Sequence, residues 1–305
     1  MSLLVVGSVA IDNVETPQER RDDLLGGSAT HFSYAASFFT PVRLVGVVGE
    51  DWPAQHTELL QSRGVDTAGL QQRAGGKTFR WTGRYLPNMN DRETLDVQLN
   101  VFGDFDPIVP AAFQDARFVF LANGVPAVQA KVLAQAPHRD IVVADTMDLW
   151  INEHRPDLDA LLQQLDGLVL NDGEAKLLTG QQNLVAAAEA VLDLGPRFVI
   201  VKKGEHGSMY FGRDEAGRLD SSVLPAFPTR DVVDPTGAGD SFAGGFMGYL
   251  TEQGKIDGAT LRTAMAYGTV VASYNVEGFG LERMTSVTRA AIDERLAQYR
   301  KMLAF

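Results

Sequence analysis

Residues 234–246 read DPTGAGDSFAGGF, and this stretch decides how the rest of the chain is interpreted. The run Gly237-Ala238-Gly239 allows backbone angles that other residues resist, so successive amide groups can point into one concavity. Phe242 and Phe246 then recur at helical spacing, which predicts a helix that begins at this turn. Free amides and the positive end of the helix dipole favour an anion there, and phosphate is the expected guest.

Asp240 lies at the start of this predicted helix, and the residues alone allow two interpretations of it. An aspartate in this position is commonly a helix cap. Beside an anion site, a carboxylate can instead accept the proton of a substrate hydroxyl as that oxygen attacks phosphorus. Only the second interpretation makes the segment catalytic.

The remainder of the chain alternates short apolar runs with helical patterns. Helical spacing of apolar residues is clear over 28–39 and 184–192. Continuous apolar runs are typical of strands that are covered on both faces. Strand and helix in alternation predict an α/β fold with a mainly parallel sheet. The predicted strands lie at residues 3–6, 44–48, 118–121, 141–143, 168–170 and 198–201.

One region breaks this alternation. Residues 77–85 and 94–102 alternate in polarity, and the Pro-Asn-Met-Asn-Asp run at 87–91 predicts the turn of an antiparallel hairpin. A hairpin inserted into a parallel α/β chain suits a small projecting sheet that serves as a lid. An edge hairpin with no binding role is the alternative. One face of the first strand carries the aromatic residues Phe79, Trp81 and Tyr85.

Composition excludes several classes of protein. The 305 residues include 27 Lys and Arg against 39 Asp and Glu, a net charge of -12, which argues against nucleic-acid and anionic-membrane surfaces. The absence of cysteine excludes disulfide scaffolds, thiol nucleophiles and cysteine zinc sites. Residues 1–11 have no basic start and read as a buried strand rather than a signal peptide, so a cytoplasmic protein is expected.

Five segments together resemble, in order, the ribokinase-like (PfkB-type) carbohydrate kinase family. The resemblance covers nearly the whole chain and implies one α/β kinase domain over residues 1–305. Its fold would be a three-layer sandwich with a mainly parallel central sheet, and a small antiparallel β lid inserted from about 12–26 and 73–104. The segments are GSVAID (7–12), LLGGSATHFSYAAS (24–37), NDGEAKLLTG (171–180), VKKGEHGSMY (201–210) and DPTGAGDSFAGGF (234–246).

The resemblance implies ATP-dependent phosphoryl transfer to a sugar hydroxyl, with Mg²⁺ as cofactor. Asp240 would be the general base, and the backbone of residues 237–239 would form the anion hole. Asp12, Gly26 and Gly27 match positions that contact the acceptor and form the lid hinge. From position alone, Asp12 fits a ligand site beyond the first strand, and a solvated strand-end aspartate is the alternative. The Gly26-Gly27 pair could equally form an ordinary turn rather than a hinge.

On the nucleotide side, the resemblance assigns Asn171 and Glu174 to magnesium, its waters and the nucleotide phosphates. An asparagine followed by glutamate three residues later also fits a capping box. Lys202 and Gly204 lie at a turn where the family places the nucleotide, although surface lysines fit the residues equally well. Asn275 belongs to a loop that resembles the family's adenine cover.

Three further positions bear on cations and specificity. Asp234 and Thr236 match a monovalent-cation site of part of the family, which adds K⁺ as a further expected cofactor. His31 stands where relatives commonly carry asparagine. Imidazole could preserve acceptor recognition with altered specificity, or simply pack in a helix face. Residues 145–150 (DTMDLW) resemble the ketosugar kinases only loosely, so no single sugar is assigned.

The sequence leaves several competing functions open. A nucleoside kinase of the same fold is the first alternative, since the aromatic lid face could stack on a base. The same face could instead bury against a second copy's lid, which would give a homodimer. A non-catalytic sugar or nucleotide sensor is the alternative of another class. A dinucleotide oxidoreductase is disfavoured because residues 7–10 lack the Gly-x-Gly-x-x-Gly spacing.

Overall fold

The computed structural model describes residues 2–213 and 216–304. Within them the strands form two sheets, a large one and a small one. The strands are β1 (Leu3–Val6), β2 (Ala10–Glu15), β3 (Arg20–Gly26), β4 (Val42–Gly49), β5 (Val65–Arg73), β6 (Phe79–Tyr85), β7 (Arg92–Gln98), β8 (Phe118–Leu121), β9 (Ile141–Asp145), β10 (Gly167–Asn171), β11 (Phe198–Lys202), β12 (Ser208–Arg213) and β13 (Leu219–Leu224).

Helices lie between several of these strands or follow the last one, and they cover both faces of the large sheet. They are α1 (Ser28–Ala36), α2 (Ala54–Ser62), α3 (Pro126–Gln135), α4 (Asp148–Glu153), α5 (Arg155–Leu162), α6 (Asp172–Thr179), α7 (Leu184–Asp193), α8 (Ala238–Gln253), α9 (Gly258–Asn275), α10 (Glu282–Thr285) and α11 (Arg289–Leu303).

The large sheet has nine strands among the described residues, in the order β13-β12-β11-β10-β9-β8-β1-β4-β5. All pairings from β11 to β5 are parallel, and β12 and β13 add an antiparallel edge. Strands β1 and β8 are buried along their whole length, because helices cover both of their faces. The α/β fold expected from the apolar runs is confirmed.

Two apolar layers lie on opposite faces of this sheet. Alternate residues of β1 divide between them, with Leu3 and Val5 in one layer and Leu4 and Val6 in the other. Helices α1, α8, α9 and α11 supply the first layer, and α3, α5, α6 and α7 supply the second. The result is the three-layer sandwich that the family resemblance implies.

Helix α8 packs unusually close to α1. A Cβ on Gly244 would overlap the carbonyl oxygen of Phe32, and one on Gly248 would press on Ala36. These glycines lower intrinsic helix stability, but they let α8 approach the helix that follows the Gly26-Gly27 turn. The N-terminus of α8 is therefore set firmly against the start of α1.

The small sheet, here called the lid, has the order β3-β2-β6-β7. Its β6–β7 hairpin is antiparallel, as its alternating pattern predicts, and so is the β2–β3 pair. The predicted second strand at 94–102 is too long, because β7 ends at Gln98 and residues 100–102 form a 3₁₀ helix. The central β2–β6 pair is parallel, which the sequence did not indicate because these strands are far apart in the chain. The lid strands occupy residues 10–26 and 79–98.

The aromatic face of β6 faces the main domain. Tyr85 and Val14 are buried against Phe279, with Trp81 and Met89 packed beside them. The lid therefore closes over the edge of the large sheet with an apolar inner wall.

Candidate active site

The carboxyl ends of β9, β10 and β11 bring three polar residues to one edge of the large sheet. Asp145, Asn171 and Lys202 are the last residues of these strands. Neighbouring parallel strands end at the same edge, which is where ligands of open α/β sheets collect. The N-terminus of α8 arrives at this edge, because Lys202 lies over Gly239 in its first turn.

Asp240 lies in the first turn of α8. Burial raises the pKa of Asp240 to about 7, and the negative charge of Asp145 adds to this, while Lys202 and Arg92 oppose it. Among the described residues, no Lys, Arg or His forms an ion pair with its carboxylate within 4.0 Å. A carboxylate with a pKa near 7 and no fixed cation partner is suited to accept a proton at neutral pH.

The turn before Asp240 depends on a left-handed residue. Gly237 has φ 73°, and the ring of His31 occupies the space that a Cβ would need. The amide of Ala238 donates to the carbonyl of Pro235 (3.1 Å), so this amide is committed within the turn. The predicted anion hole therefore has one donor fewer than the sequence suggested.

Lys202 brings a positive charge to the same place. A Cβ built on Gly239 would lie 3.1 Å from Lys202 Nζ, and the ammonium forms an ion pair with Asp145 Oδ2 (3.1 Å). The carboxylates of Asp145, Glu174 and Asp240 raise the pKa of Lys202 against the opposing effect of burial, which keeps it charged. The alternative of a freely solvated surface lysine does not fit Lys202.

Asn171 and Glu174 form the capping box that the sequence allowed. Asn171 Oδ1 accepts the Glu174 amide (2.8 Å), and Glu174 Oε2 accepts the Asn171 amide (2.7 Å). Burial, followed by the charge of Asp145, raises the pKa of Glu174 to about 7. A partly buried carboxylate that needs positive charge fits Mg²⁺, and only one of its oxygens is used by the capping box.

Within residues 2–213 and 216–304, no three His, Cys, Asp or Glu side chains form a ready metal cluster.

Asp12 lies in β2, over the Gly26-Gly27 turn, as its predicted acceptor-binding role requires. Its carboxylate occupies the space of a Gly26 Cβ and accepts a hydrogen bond from the Gly27 amide. Burial raises the pKa of Asp12 to about 7, and the charges of Asp234 and Asp240 contribute. Asp12 is 6% exposed, so it is not a solvated strand-end aspartate. Gly27 has φ 97°, which only glycine adopts easily.

Two predicted ligand contacts, Asn275 and His31, are fully buried in the structure. Asn275 is 0% exposed: its Nδ2 donates to the carbonyl of Thr236 (2.8 Å), and its Oδ1 accepts from Ser241 Oγ (2.9 Å) and faces His31 Nδ1 (3.2 Å). This position does not fit a direct nucleotide contact by its side chain. His31 is likewise buried against Gly237, which does not fit a direct acceptor contact.

Asp234 is also fully buried and accepts two backbone hydrogen bonds. Its Oδ1 accepts from the Thr236 amide (2.8 Å) and its Oδ2 from the Gly280 amide (3.1 Å). Burial raises its pKa, and these hydrogen bonds oppose the rise. The carboxylate therefore braces the loop before α8, and the predicted K⁺ site at this position stays a prediction.

A pocket of about 480 Å³ lies beside the α8 N-terminus. Lys202 and Gly204 line it, and their predicted role on the nucleotide side stays a prediction. The turn of the β6–β7 hairpin, residues 88–90, lines it as well, and Asn90 Oδ1 occupies the space that a Gly204 Cβ would need. The lid therefore forms part of the wall of this pocket.

Sequence reasoning did not assign Asp145 or Arg92 to the site. Asp145 ends a predicted strand beside Asn171 and Lys202, so the rule for sheet edges could have found it. Arg92 comes from an exposed lid strand, and the sequence held no signal for its influence on Asp240.

The sequence of this chain is similar to those of known proteins. A sequence profile of the pfkB family of carbohydrate kinases matches residues 2–287. The chain belongs to the pfkB family. Two curated relatives of this pfkB kinase cover most of it. Cytidine kinase of Thermococcus kodakarensis is 28% identical over 252 residues, 81% of this chain and 87% of the relative. Nucleoside kinase of Methanothermobacter thermautotrophicus is 28% identical over 317 residues, 97% of this chain and 96% of the relative.

Solved structures share the fold of this pfkB kinase. Methanocaldococcus jannaschii nucleoside kinase has a TM-score of 0.75 at 19% identity, covering 97% of this chain and 98% of its own. Burkholderia thailandensis nucleoside kinase with inosine has a TM-score of 0.75 at 21% identity, with the same coverage. An Escherichia coli protein described as a candidate ribokinase II, with ATP and Mg²⁺, has a TM-score of 0.80 at 18% identity, covering 97% and 99%.

These findings confirm the predicted family and fold. This pfkB kinase is an ATP-dependent phosphotransferase that acts on a sugar or a nucleoside. None of the helices in the described residues is long and apolar enough to cross a membrane.

Proposed function

We propose that this pfkB kinase transfers the γ-phosphoryl group of ATP to a hydroxyl of a nucleoside, with Asp240 as general base. The observation that carries the choice of nucleoside is the inner wall of the lid, where Trp81, Tyr85 and Met89 pack towards Phe279. Trp81 and Met89 are only partly buried there, and a flat base could stack on their exposed surface, whereas a free sugar has no flat face to offer it. The two curated relatives that cover most of the chain are a cytidine kinase and a nucleoside kinase.

The geometry at Asp240 supports its role as the base. The acceptor hydroxyl would give its proton to the Asp240 carboxylate as its oxygen forms a bond to the γ-phosphorus of ATP. The bond from that phosphorus to the bridging oxygen breaks, and ADP leaves. Lys202, beside Gly239, would stabilise the negative charge on the phosphoryl oxygens together with the remaining amides of the turn.

Asn171 and Glu174 would hold magnesium through its water ligands. When bound, magnesium would neutralise phosphate charge and help align the nucleotide. Asp12, which is buried in the lid strand β2, would accept hydrogen bonds from acceptor hydroxyls at the other side of the site. Lid closure would exclude water, which would otherwise compete as a phosphoryl acceptor. K⁺ near Asp234 is a further part of this proposal.

A panel of acceptors tests this function. Purified enzyme with ATP and Mg²⁺ is assayed for ADP release with cytidine, inosine, adenosine, ribose and deoxyribose. We expect kcat/KM for at least one nucleoside to exceed that for either sugar. The reverse order would show a sugar kinase, which is the leading alternative from the sequence. Nucleotide binding without acceptor-dependent ADP release would show a sensor.

Asp240→Asn tests the base separately from the choice of substrate. We expect kcat to fall by about 10²- to 10⁴-fold, since the amide cannot accept the proton. Binding of ADP measured by calorimetry serves as the control and should be retained. Turnover equal to that of the wild type would exclude Asp240 as the base.

A homodimer formed through the lid stays a prediction. Strand β7 is the outer edge of the lid sheet, and Leu95, Val97 and Leu99 expose large apolar side chains along and just after it. Light scattering during size-exclusion chromatography would determine the oligomeric state.

A further inference from the structure

His31 is a buried titratable residue that the proposed mechanism does not use. It is the fourth residue of α1, just after the Gly26-Gly27 turn, and it is 1% exposed. Its ring lies so close to Gly237 that any Cβ at residue 237 would overlap it. His31 Nε2 has no hydrogen-bond partner in the described part of the chain and no accessible surface. A substrate hydroxyl therefore has no path to this nitrogen in the observed conformation.

The hydrogen bonds of Asn275 determine which nitrogen of His31 carries the proton. Asn275 Nδ2 donates to the carbonyl of Thr236, which fixes the orientation of the amide and turns Oδ1 towards His31 Nδ1. An amide oxygen only accepts, so Nδ1 must be the protonated nitrogen and Nε2 must carry the lone pair. Burial lowers the pKa of His31 to about 4, which keeps the ring neutral at physiological pH.

The same network surrounds the turn that carries the base. Asn275 binds Thr236 before the turn and Ser241 after it, and it meets His31 beside Gly237. The turn is thus held at both ends by one side chain from the last residue of α9, and on its flank by a ring from α1.

We propose that His31, acting through Asn275 and by packing on Gly237, is a positioning residue that holds the 236–241 turn in its phosphoryl-binding conformation. The proposal rests on the proposed phosphoryl transfer, but not on the identity of the acceptor. Asparagine at residue 31 could place an amide nitrogen where Nδ1 now lies, but it would leave the space beside Gly237 unfilled. Histidine supplies both the donor at Nδ1 and the ring that fills the space beside Gly237.

Three variants separate the hydrogen bond from the packing. His31→Ala removes both contributions, and His31→Asn keeps a donor near the position of Nδ1. Ser33→Ala is the matched control, because Ser33 lies on the same helix and its buried hydroxyl has no hydrogen-bond partner among the described residues. We expect kcat to fall about 100-fold in His31→Ala and about tenfold or less in His31→Asn, with acceptor KM within about threefold of wild type. Ser33→Ala should match the wild type.

A second measurement reports on the turn without an acceptor. Affinity for ADP with aluminium fluoride, which resembles the transferring phosphoryl group, should fall in His31→Ala, while affinity for ADP alone should not change. An increase in acceptor KM with unchanged kcat would show a direct substrate contact and overturn the proposal. Equal losses of both affinities would also overturn it, because they would show general damage to the fold.

The tautomer can be measured on the wild-type protein. Proton–nitrogen NMR of labelled histidine should show His31 neutral, protonated at Nδ1 and unprotonated at Nε2, at pH 7. A proton on Nε2 would contradict the network and overturn the proposal, even if the His31 variants failed to fold. The NMR and fluoride measurements do not depend on which acceptor the enzyme uses, so a failure of the nucleoside assignment would be seen separately in the wild-type acceptor panel.

Discussion

The large sheet and the lid are both built of β-strands, but they differ in how these strands are packed. In the large sheet, β8 is buried along its whole length between helices. In the lid, β7 is exposed along its whole length, and the contacts with the main domain come from β2, the end of β3 and the inner face of β6. The large sheet fixes the positions of Asn171 and Lys202, to which the proposed function gives roles at the phosphate groups. The lid is held by its apolar inner face and by surface ion pairs such as Arg80–Asp51, an attachment compatible with the opening and closing that the proposed function requires.

Substitutions in the core and in the lid should differ most in their effect on the free energy of unfolding. Phe120, in β8, stacks on Phe32 of α1 with ring centroids 4.1 Å apart. Phe120→Ala should destabilise the protein by about 3–5 kcal/mol, because it leaves a cavity in the core. Arg84→Ala removes the exposed lid ion pairs with Glu15 and Glu93 and should give no resolvable change. Urea unfolding measures both, and similar midpoints for the two variants would contradict the comparison.

The second prediction concerns the phosphoryl side. Lys202→Met removes the ammonium beside Gly239, so kcat should fall by about 100-fold, through lost stabilisation of the phosphoryl charge. Lys203→Met is the matched control, since Lys203 is the next residue along and forms no salt bridge within the described residues. Steady-state kinetics distinguish the two. Equal losses in both variants would mean that the charge of the whole turn, rather than Lys202, is what matters.

The third prediction concerns the acceptor side. Trp81→Ala removes the aromatic surface of the lid's inner wall and should raise nucleoside KM about tenfold through lost stacking, with little change in KM for ATP. Thr82→Ala, which changes the neighbouring residue on the opposite face of β6, serves as the control. A larger effect on ATP than on the nucleoside would place Trp81 on the donor side instead.

The fourth prediction concerns pH and is the smallest in expected effect. Asp12, Glu174 and Asp240 each have a pKa raised to about 7 by burial, so kcat/KM should fall steeply as the pH drops below about 7. Asp145→Asn removes a negative charge that raises the pKa of Asp240, so the acid limb should move to lower pH.

Asp148→Asn provides the control for this pH prediction. Asp148 contributes to the raised pKa of Glu174 but is not among the groups that raise that of Asp240. Its removal should therefore move the acid limb less than removal of Asp145. Profiles that coincide for the wild type and Asp145→Asn would show that Asp145 does not tune the base.

Local patterns in the sequence predicted most of the fold. The run at residues 118–121 matches β8, and the turn at 87–91 joins β6 to β7 as expected. The parallel pairing of β2 with β6 could not be predicted, because it joins segments about 70 residues apart whose local patterns do not specify a partner. Pairing of that kind depends on packing of the whole lid.

The sequence predicted which residues form the candidate site better than it predicted what each of them does. Asp240, Asp12 and Lys202 lie where strand ends and glycine turns indicated. The role of Asn275 was not predictable, because its contact with His31 spans 244 positions of the chain. No local pattern distinguishes a residue that supports an anion turn from one that contacts a nucleotide, since both use the same polar atoms.

The contact between Asn90 and Gly204 has a consequence for the end of the catalytic cycle. The tip of the lid forms part of the pocket wall, so if the pocket holds the nucleotide, as the proposed function implies, ADP could not leave freely while the lid is closed. Departure of both products would then depend on a single opening motion. If the chemical step is fast, kcat would be set by the rate at which residues 88–90 move away from the pocket wall as the lid opens.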